Sequence, residues 1–109
     1  AAMAAFQKDL KTHGKDDQVL TMTFSEFGRR PAENGGEGTD HGTAAPLFVM
    51  GRPVQGGLLG SAPDLNLGDN EDLKFSTDFR SIYSTVLDRW LEADSSQILA
   101  GQFEHVPFI

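Results

Sequence analysis

The chain contains no cysteine. Disulfides, zinc–thiolate centres and a cysteine nucleophile are therefore excluded. The compartment stays open, because cytoplasmic and exported proteins can both lack cysteine. Basic residues are scarce: 9 Lys and Arg stand against 16 Asp and Glu, a formal net charge of -7, and the pI is near 4.7. Arg29 and Arg30 are the only adjacent basic pair. Nucleic-acid binding relies on clustered Lys and Arg, so this balance argues against it. Long apolar runs are also missing. None approaches the roughly 20 residues that span a membrane, and the start of the chain shows no secretory pattern. Ala1 to Phe6 reads as the inside of a helix with no cap before it. The chain is thus expected to begin within an element, as a piece of a larger domain would.

What is present is globular but polar, with 39% hydrophobic and 23% charged residues and a mean hydropathy of -0.32. The length of 109 residues fits one domain or part of one. The spacing of Met3, Phe6 and Leu10 predicts a helix over Ala1–Lys11, stopped by Gly14. Val19–Phe24 is nearly continuous in apolar and β-branched residues, which predicts a strand buried on both faces, as in a parallel sheet. Pro46–Met50 reads as a second, short strand, and Leu73–Phe75 as a brief extended piece. Thr77–Leu91 is the strongest helix. Ser76 or Thr77 can cap it, and Phe79, Ile82, Tyr83, Val86, Leu87, Trp90 and Leu91 form one wide apolar face. Ser95–Leu99 reads as a helical turn and Val106–Ile109 as a terminal strand or ordered tail. The order of helix, turn and buried strand predicts an α/β fold.

The chemical accent falls between the two predicted strands. Gly28–Ala45 holds almost no large apolar residue, and structureless loops of that length in compact domains are usually functional or disordered. Ser25-Glu26 closes the first strand, at the end where open α/β sheets bind ligands. Glu26 there is either a metal-facing carboxylate or an ordinary turn residue paired with Arg29 or Arg30. His41 is either a metal ligand through its neutral imidazole or a loop tie. Asp40 beside it is either a ligand or a group that orients the ring, and Gly38 and Gly42 let backbone approach a ligand closely. Arg29 and Arg30 can grip an anion through forked hydrogen bonds or stand solvated. His13 and His105 read as structural. Asp64, Asn66, Asp69, Asn70, Glu71 and Asp72 offer calcium-type oxygens without EF-hand spacing, so this stretch reads as a solvated acidic loop. Gly51–Gly60 lacks a P-loop ending.

Thr-Phe-Ser-Glu-Phe-Gly-Arg-Arg, Gly-Thr-Asp-His-Gly, Val-Gln-Gly-Gly-Leu-Leu-Gly and Ser-Thr-Asp-Phe-Arg-Ser-Ile-Tyr-Ser-Thr-Val-Leu-Asp-Arg-Trp-Leu occur in that order. Together they resemble the C-terminal portion of the bacterial domain-of-unknown-function 1501 family. The resemblance covers nearly the whole chain. It implies a longer, twin-arginine-exported, periplasmic protein, of which residues 1–109 form one C-terminal fragment. It also implies a distant branch of the alkaline phosphatase and sulfatase superfamily, with a three-layer α/β/α fold. In that superfamily a buried strand ends in Asp-His-Gly, whose Asp and His bind metal, and a later His adds another ligand. Leu20–Gly28 is similar to the first motif, with Glu26 at the Asp position. Phe27 falls at the His position and cannot ligate. His41 is similar to the later His. A second registration lays Asp40-His41-Gly42 directly on the motif, but the Gly-rich segment before it is no buried strand.

The resemblance therefore implies a metal-dependent hydrolase of phosphate or sulfate esters. Its metal would be zinc, manganese or calcium, with Glu26, Asp40 and His41 as metal residues and Arg29 and Arg30 binding the anionic ester. No nucleophile is identifiable in these residues. The alternative is a non-catalytic exported protein of binding or assembly that kept the fold and lost the metals, as Phe27 suggests. A lone parallel-sheet fragment would expose strand edges and apolar faces. It is expected to need the remainder of its own polypeptide or another copy.

Overall fold

The computed structural model describes residues 1–68 and 71–109. The fold is mixed α/β. Helix α1 spans Ala2–Thr12, one residue from the predicted span, and turns out at Gly14, whose φ of 62 suits glycine. No residue of α1 is buried, and Met3 and Phe6 stand exposed. Strand β1 (Thr21–Met22) follows, then β2 (Gly28–Glu33), β3 (Thr39–Gly42) and β4 (Val49–Met50). Helix α2 spans Phe79–Arg89 and α3 spans Ser95–Ile98.

The strands form two separate antiparallel pairs, β1 with β4 and β2 with β3. This corrects the expectation of a parallel strand buried on both faces. Only Thr21 and Met22 of the predicted strand pair, opposite Met50 and Val49. One further rung follows, in which Thr23 N donates to Phe48 O at 2.9 Å and Phe48 N to Thr23 Oγ1 at 2.9 Å. The reason is the connection. A parallel neighbour needs a crossover, usually a helix, whereas here a hairpin separates the two strands and the chain returns beside β1 in the opposite direction. Pro46 lacks a backbone donor, so β4 is shorter than predicted. Neither Leu73–Phe75 nor Val106–Ile109 is a strand.

The β2–β3 hairpin overturns the reading of Gly28–Ala45 as a structureless loop. Gly28 pairs with Gly42, Arg29 with His41 and Glu33 with Thr39, with an irregularity between Arg29 and Glu33. Pro31 lies within that irregular stretch, where a residue without an N–H is tolerated. The tip is closed by Asn34. Its N donates to Gly38 O at 2.8 Å, and its Oδ1 accepts from Gly36 N at 3.0 Å and Gly38 N at 3.2 Å. These are the side-chain turn bonds for which asparagine is suited. Glu37 takes a positive φ of 58 within the tip.

Helix α2 is capped by Asp78, not by Ser76 or Thr77. The Asp78 carboxylate accepts from Arg80 N at 2.9 Å and grips the Arg80 guanidinium at 2.6 Å. That guanidinium also lies 4.5 Å from the Phe103 ring centre. The predicted apolar face is only partly covered, with Phe79 and Leu91 each 58% exposed. The buried residues of α2 are instead Ser84 and Thr85. Ser84 Oγ lies 3.2 Å from Ser95 Oγ and donates to Phe103 O at 3.2 Å. Thr85 Oγ1 donates to Ser81 O at 2.7 Å and accepts from Val106 N at 2.8 Å. The hydroxyl side of α2 thus faces α3 and the C-terminal segment. Thr85→Val keeps the shape but strands the Val106 N–H, an expected loss of about 1–3 kcal/mol, read as a lower urea midpoint with unchanged slope.

Asp88 is the hub of this junction. It accepts from Ser95 N at 2.9 Å and from Ser95 Oγ at 2.8 Å, and His105 Nε2 lies 2.6 Å away. Arg89 Nε sits 3.4 Å from His105 Nδ1, which leaves Nε2 as the donor to Asp88. His105 therefore has the structural role its sequence position suggests. The His105 contact, then the Ser95 amide and hydroxyl, hold the Asp88 carboxyl down to about 2. A depressed carboxylate contributes stability above its unfolded pKa of about 3.9 and loses it as pH falls through the folded value. Stability is expected to fall as pH drops from about 4 to about 2, and Asp88→Asn to flatten that limb. Urea titrations across the range, wild type against variant, check it. Equal slopes would remove Asp88 from the acid limb.

Phe108 is the one buried hydrophobic residue among the described residues, at 4% exposure, and its O accepts from Gln55 N at 2.8 Å. The chain exposes 8237 Å². A self-contained monomer of its 11.8 kDa exposes about 5900 Å². Its radius of gyration is 16.7 Å, where a compact domain of this length has about 13 Å.

Candidate functional site

The candidate residues lie on the loop after β1 and on the hairpin that follows. Ser25 Oγ donates to Phe27 O at 2.7 Å, which bends the chain out of the strand direction and leads it into β2. Glu26 is exposed on this bend. It edges a cleft of about 380 Å³ between the 24–28 loop, Pro46-Leu47 and the start of α2, with Phe79 and Tyr83 on the far wall.

Side chains alternate across a strand, and this sorts the hairpin residues. Arg29 and His41 are cross-strand partners, and Phe27 lies two residues before Arg29, so all three share a face. The Phe27 and His41 rings stack at 3.4 Å between centres with 14° between planes. The Arg29 guanidinium carbon lies 5.0 Å from the Phe27 ring centre, and its Nη1 donates to Thr39 O at 2.6 Å. The result is an exposed imidazole beside an exposed guanidinium, with a phenyl ring backing both.

Asp40 and Arg30 belong to the other face. Asp40 Oδ1 accepts from Asn34 Nδ2 at 2.9 Å, so Asp40 ties the hairpin tip. Arg30 is half-buried. Its charge contributes to lowering the Asp72 carboxyl, after the larger effect of the Thr43 amide. The structure therefore brings together Arg29 and His41, and it separates Asp40 from His41 and Arg30 from Arg29.

Asp72, which in the sequence is one of several residues of an acidic loop, fixes the hairpin base. It accepts from Thr43 N at 2.7 Å and from Leu73 N at 2.7 Å, while Thr43 Oγ1 donates to Leu73 O at 3.1 Å. Asp64 and Glu71 make local turns, accepting from Asn66 N and Gly68 N at 2.9 Å each. Asp69 and Asn70 lie outside the described residues. One-dimensional spacing gives no sign of the Asp72 role, since its partner is 29 residues away. Asn34 was legible in principle, because Asn-Gly-Gly-Glu-Gly is a turn composition.

Zinc, manganese and calcium sites need several converging donors. Among the described residues no group of three or more His, Asp or Glu side chains is placed to hold a metal. These residues alone do not fit a complete metal centre. What the face can do unaided is bind an anion at Arg29 and accept or donate a proton at His41.

The family described as Protein of unknown function (DUF1501) matches residues 1–101. The chain belongs to the DUF1501 family. No curated protein and no solved structure matches it. Membership of DUF1501 agrees with the motif order in the sequence, and the family description carries no activity. No helix among the described residues is long and apolar enough to cross a membrane.

Proposed function

We propose that this DUF1501 chain is one part of an exported metal-dependent hydrolase of phosphate or sulfate esters. The observation that carries the reading is the shared face of Arg29 and His41 beside the Glu26 bend. A guanidinium there suits an ester's anionic oxygens. Glu26 and His41 each offer one ligand to a divalent ion, zinc, manganese or calcium, whose other ligands lie outside these residues. If bound there, such an ion would supply Lewis-acid polarisation of the ester. Asp40 orients the hairpin through Asn34, and Arg30 steadies its base. Export and the alkaline phosphatase or sulfatase type rest on the resemblance of the Ser-Glu-Phe-Gly-Arg and Asp-His motifs. Elemental mass spectrometry of the full-length protein, prepared without chelator, tests the reading. Stoichiometric metal that is lost in His41→Ala supports it, and metal-free wild type sinks it.

One observation favours a second reading, a non-catalytic binding or assembly protein. Phe27 occupies a motif position where a ligand is expected and covers one face of His41. A metal-free protein without turnover, with an intact hairpin, is the outcome this reading requires.

The partner that covers the exposed apolar surface is, in either reading, the remainder of the same polypeptide. The surface excess of roughly 2300 Å² matches an obligate interface. With one buried apolar side chain among the described residues, the chain holds too little core to fold first and associate later. A charge of -7 per chain also opposes self-association. Residues 1–109 alone are expected to bind a hydrophobic dye strongly, and the full-length protein weakly. Equal, weak binding by both would remove this partner.

A further inference from the structure

We infer that Asn34 is a site of spontaneous backbone-assisted deamidation, and that its conversion releases the hairpin tip. Asn34-Gly35 is the chain's one Asn-Gly pair; Asn66 and Asn70 precede Leu67 and Glu71. Glycine leaves the following nitrogen unhindered, and here the space is open: a Cβ at Gly35 would meet nothing within 4 Å. Gly35 is exposed, so water reaches the site. The Asn34 side-chain carbonyl is already polarised, because Oδ1 accepts from Gly36 N at 3.0 Å and Gly38 N at 3.2 Å. Two amides on that oxygen stabilise the negative charge it gains when the adjacent carbon is attacked, as in an oxyanion hole.

The step balances without an oxidant or reductant. Gly35 N attacks Asn34 Cγ and gives its proton to water. The Cγ–Nδ2 bond breaks, and Nδ2 leaves as ammonia with a proton from solvent. Water then opens the cyclic imide. Cleavage between Cγ and the Gly35 nitrogen leaves an ordinary aspartyl residue. Cleavage at the Asn34 main-chain carbonyl leaves an isoaspartyl link.

Either product removes the Nδ2 donor that Asp40 accepts at 2.9 Å, and the aspartyl product sets a second carboxylate against Asp40. Like charges so close are disfavoured. The isoaspartyl form also lengthens the main chain inside the turn that Asn34 N and Gly38 O close. The tip opens, and the register that sets His41 opposite Arg29 loses its far anchor.

The test is peptide mapping by mass spectrometry of the full-length protein held in mildly alkaline buffer. The expected result is conversion concentrated at Asn34, with both aspartyl and isoaspartyl products and slower change at Asn66 and Asn70. Gly35→Ala should keep the hairpin and slow conversion by about an order of magnitude, since a side chain hinders the attacking nitrogen. Conversion at Asn34 no faster than at Asn66 and Asn70, or unslowed in Gly35→Ala, overturns the inference. Amide exchange at Gly38 and Thr39 reads the release. Unchanged protection in fully converted protein overturns the second half.

Discussion

Replacing His41 with alanine in the full-length protein is expected to abolish ester turnover. His41 is the imidazole on the hairpin face that also carries Arg29. Alanine removes its nitrogen donors and leaves the cross-strand backbone pairing untouched. The ring is exposed, so little core is lost with it. The main packing change is the loss of the stack on Phe27, and a second variant separates that effect. Phe27→Leu breaks the stack while both nitrogens remain. Chemistry at the imidazole predicts turnover near background in His41→Ala and within a few-fold of wild type in Phe27→Leu. Equal losses in both would make the stack a support for the hairpin and nothing more. Undiminished turnover in His41→Ala would end the hydrolase assignment for this face. Aryl phosphate and aryl sulfate esters serve as probes, because their released phenols are read directly.

The elements that were legible in the sequence are those whose signal is local. Helix α2 shows itself through apolar residues at helical spacing, and α1 through alanines with Met3, Phe6 and Leu10. Elements set by distant partners were not legible. The β2–β3 hairpin has glycines at Gly28 and Gly42, where strand propensity is poorest, and they are there because backbone closes in on both sides. The apolar run Val19–Phe24 has the composition of a central strand, yet in residues 1–109 it meets one short neighbour. The same neighbourhood leaves Phe24 79% and Phe48 57% exposed, so a composition read locally does not report which faces are covered. The candidate site divides the same way. Adjacent residues are paired by eye in a sequence, but strand alternation sends neighbours to opposite faces. Asp40-His41 and Arg29-Arg30 are thereby split, and Arg29 and His41 are joined by a register that spacing alone does not reveal.

Gly28→Ala is expected to be the most disruptive single methyl group in the hairpin. Gly28 is buried and opens β2 opposite Gly42. A Cβ built there lands on the Ala44 carbonyl oxygen, with the Ala44 carbonyl carbon at 2.5 Å and its nitrogen at 3.0 Å. All three are main-chain atoms, so no rotamer relieves the clash. The strand must move off the 43–45 segment, which breaks the Gly28–Gly42 pairing and pulls Thr43 N from Asp72. Ordinary overpacking costs about 1–3 kcal/mol because side chains give way; here backbone must, and the loss should exceed that range. Gly42→Ala provides a graded comparison. Its Cβ meets Asp72 Oδ1 at 2.6 Å, a side-chain atom that can rotate away by giving up its bond from Leu73 N. It also meets the main-chain Arg29 carbonyl carbon and Arg30 nitrogen at 3.1 Å each, which need give by only a few tenths of an ångström. Gly35→Ala meets nothing within 4 Å and should be near neutral. Urea midpoints should therefore fall in the order Gly28→Ala, then Gly42→Ala, then Gly35→Ala, from lowest to highest. A Gly28→Ala midpoint at or above that of Gly42→Ala would mean that the Ala44 segment yields freely. The hairpin base would then be held by Asp72 alone.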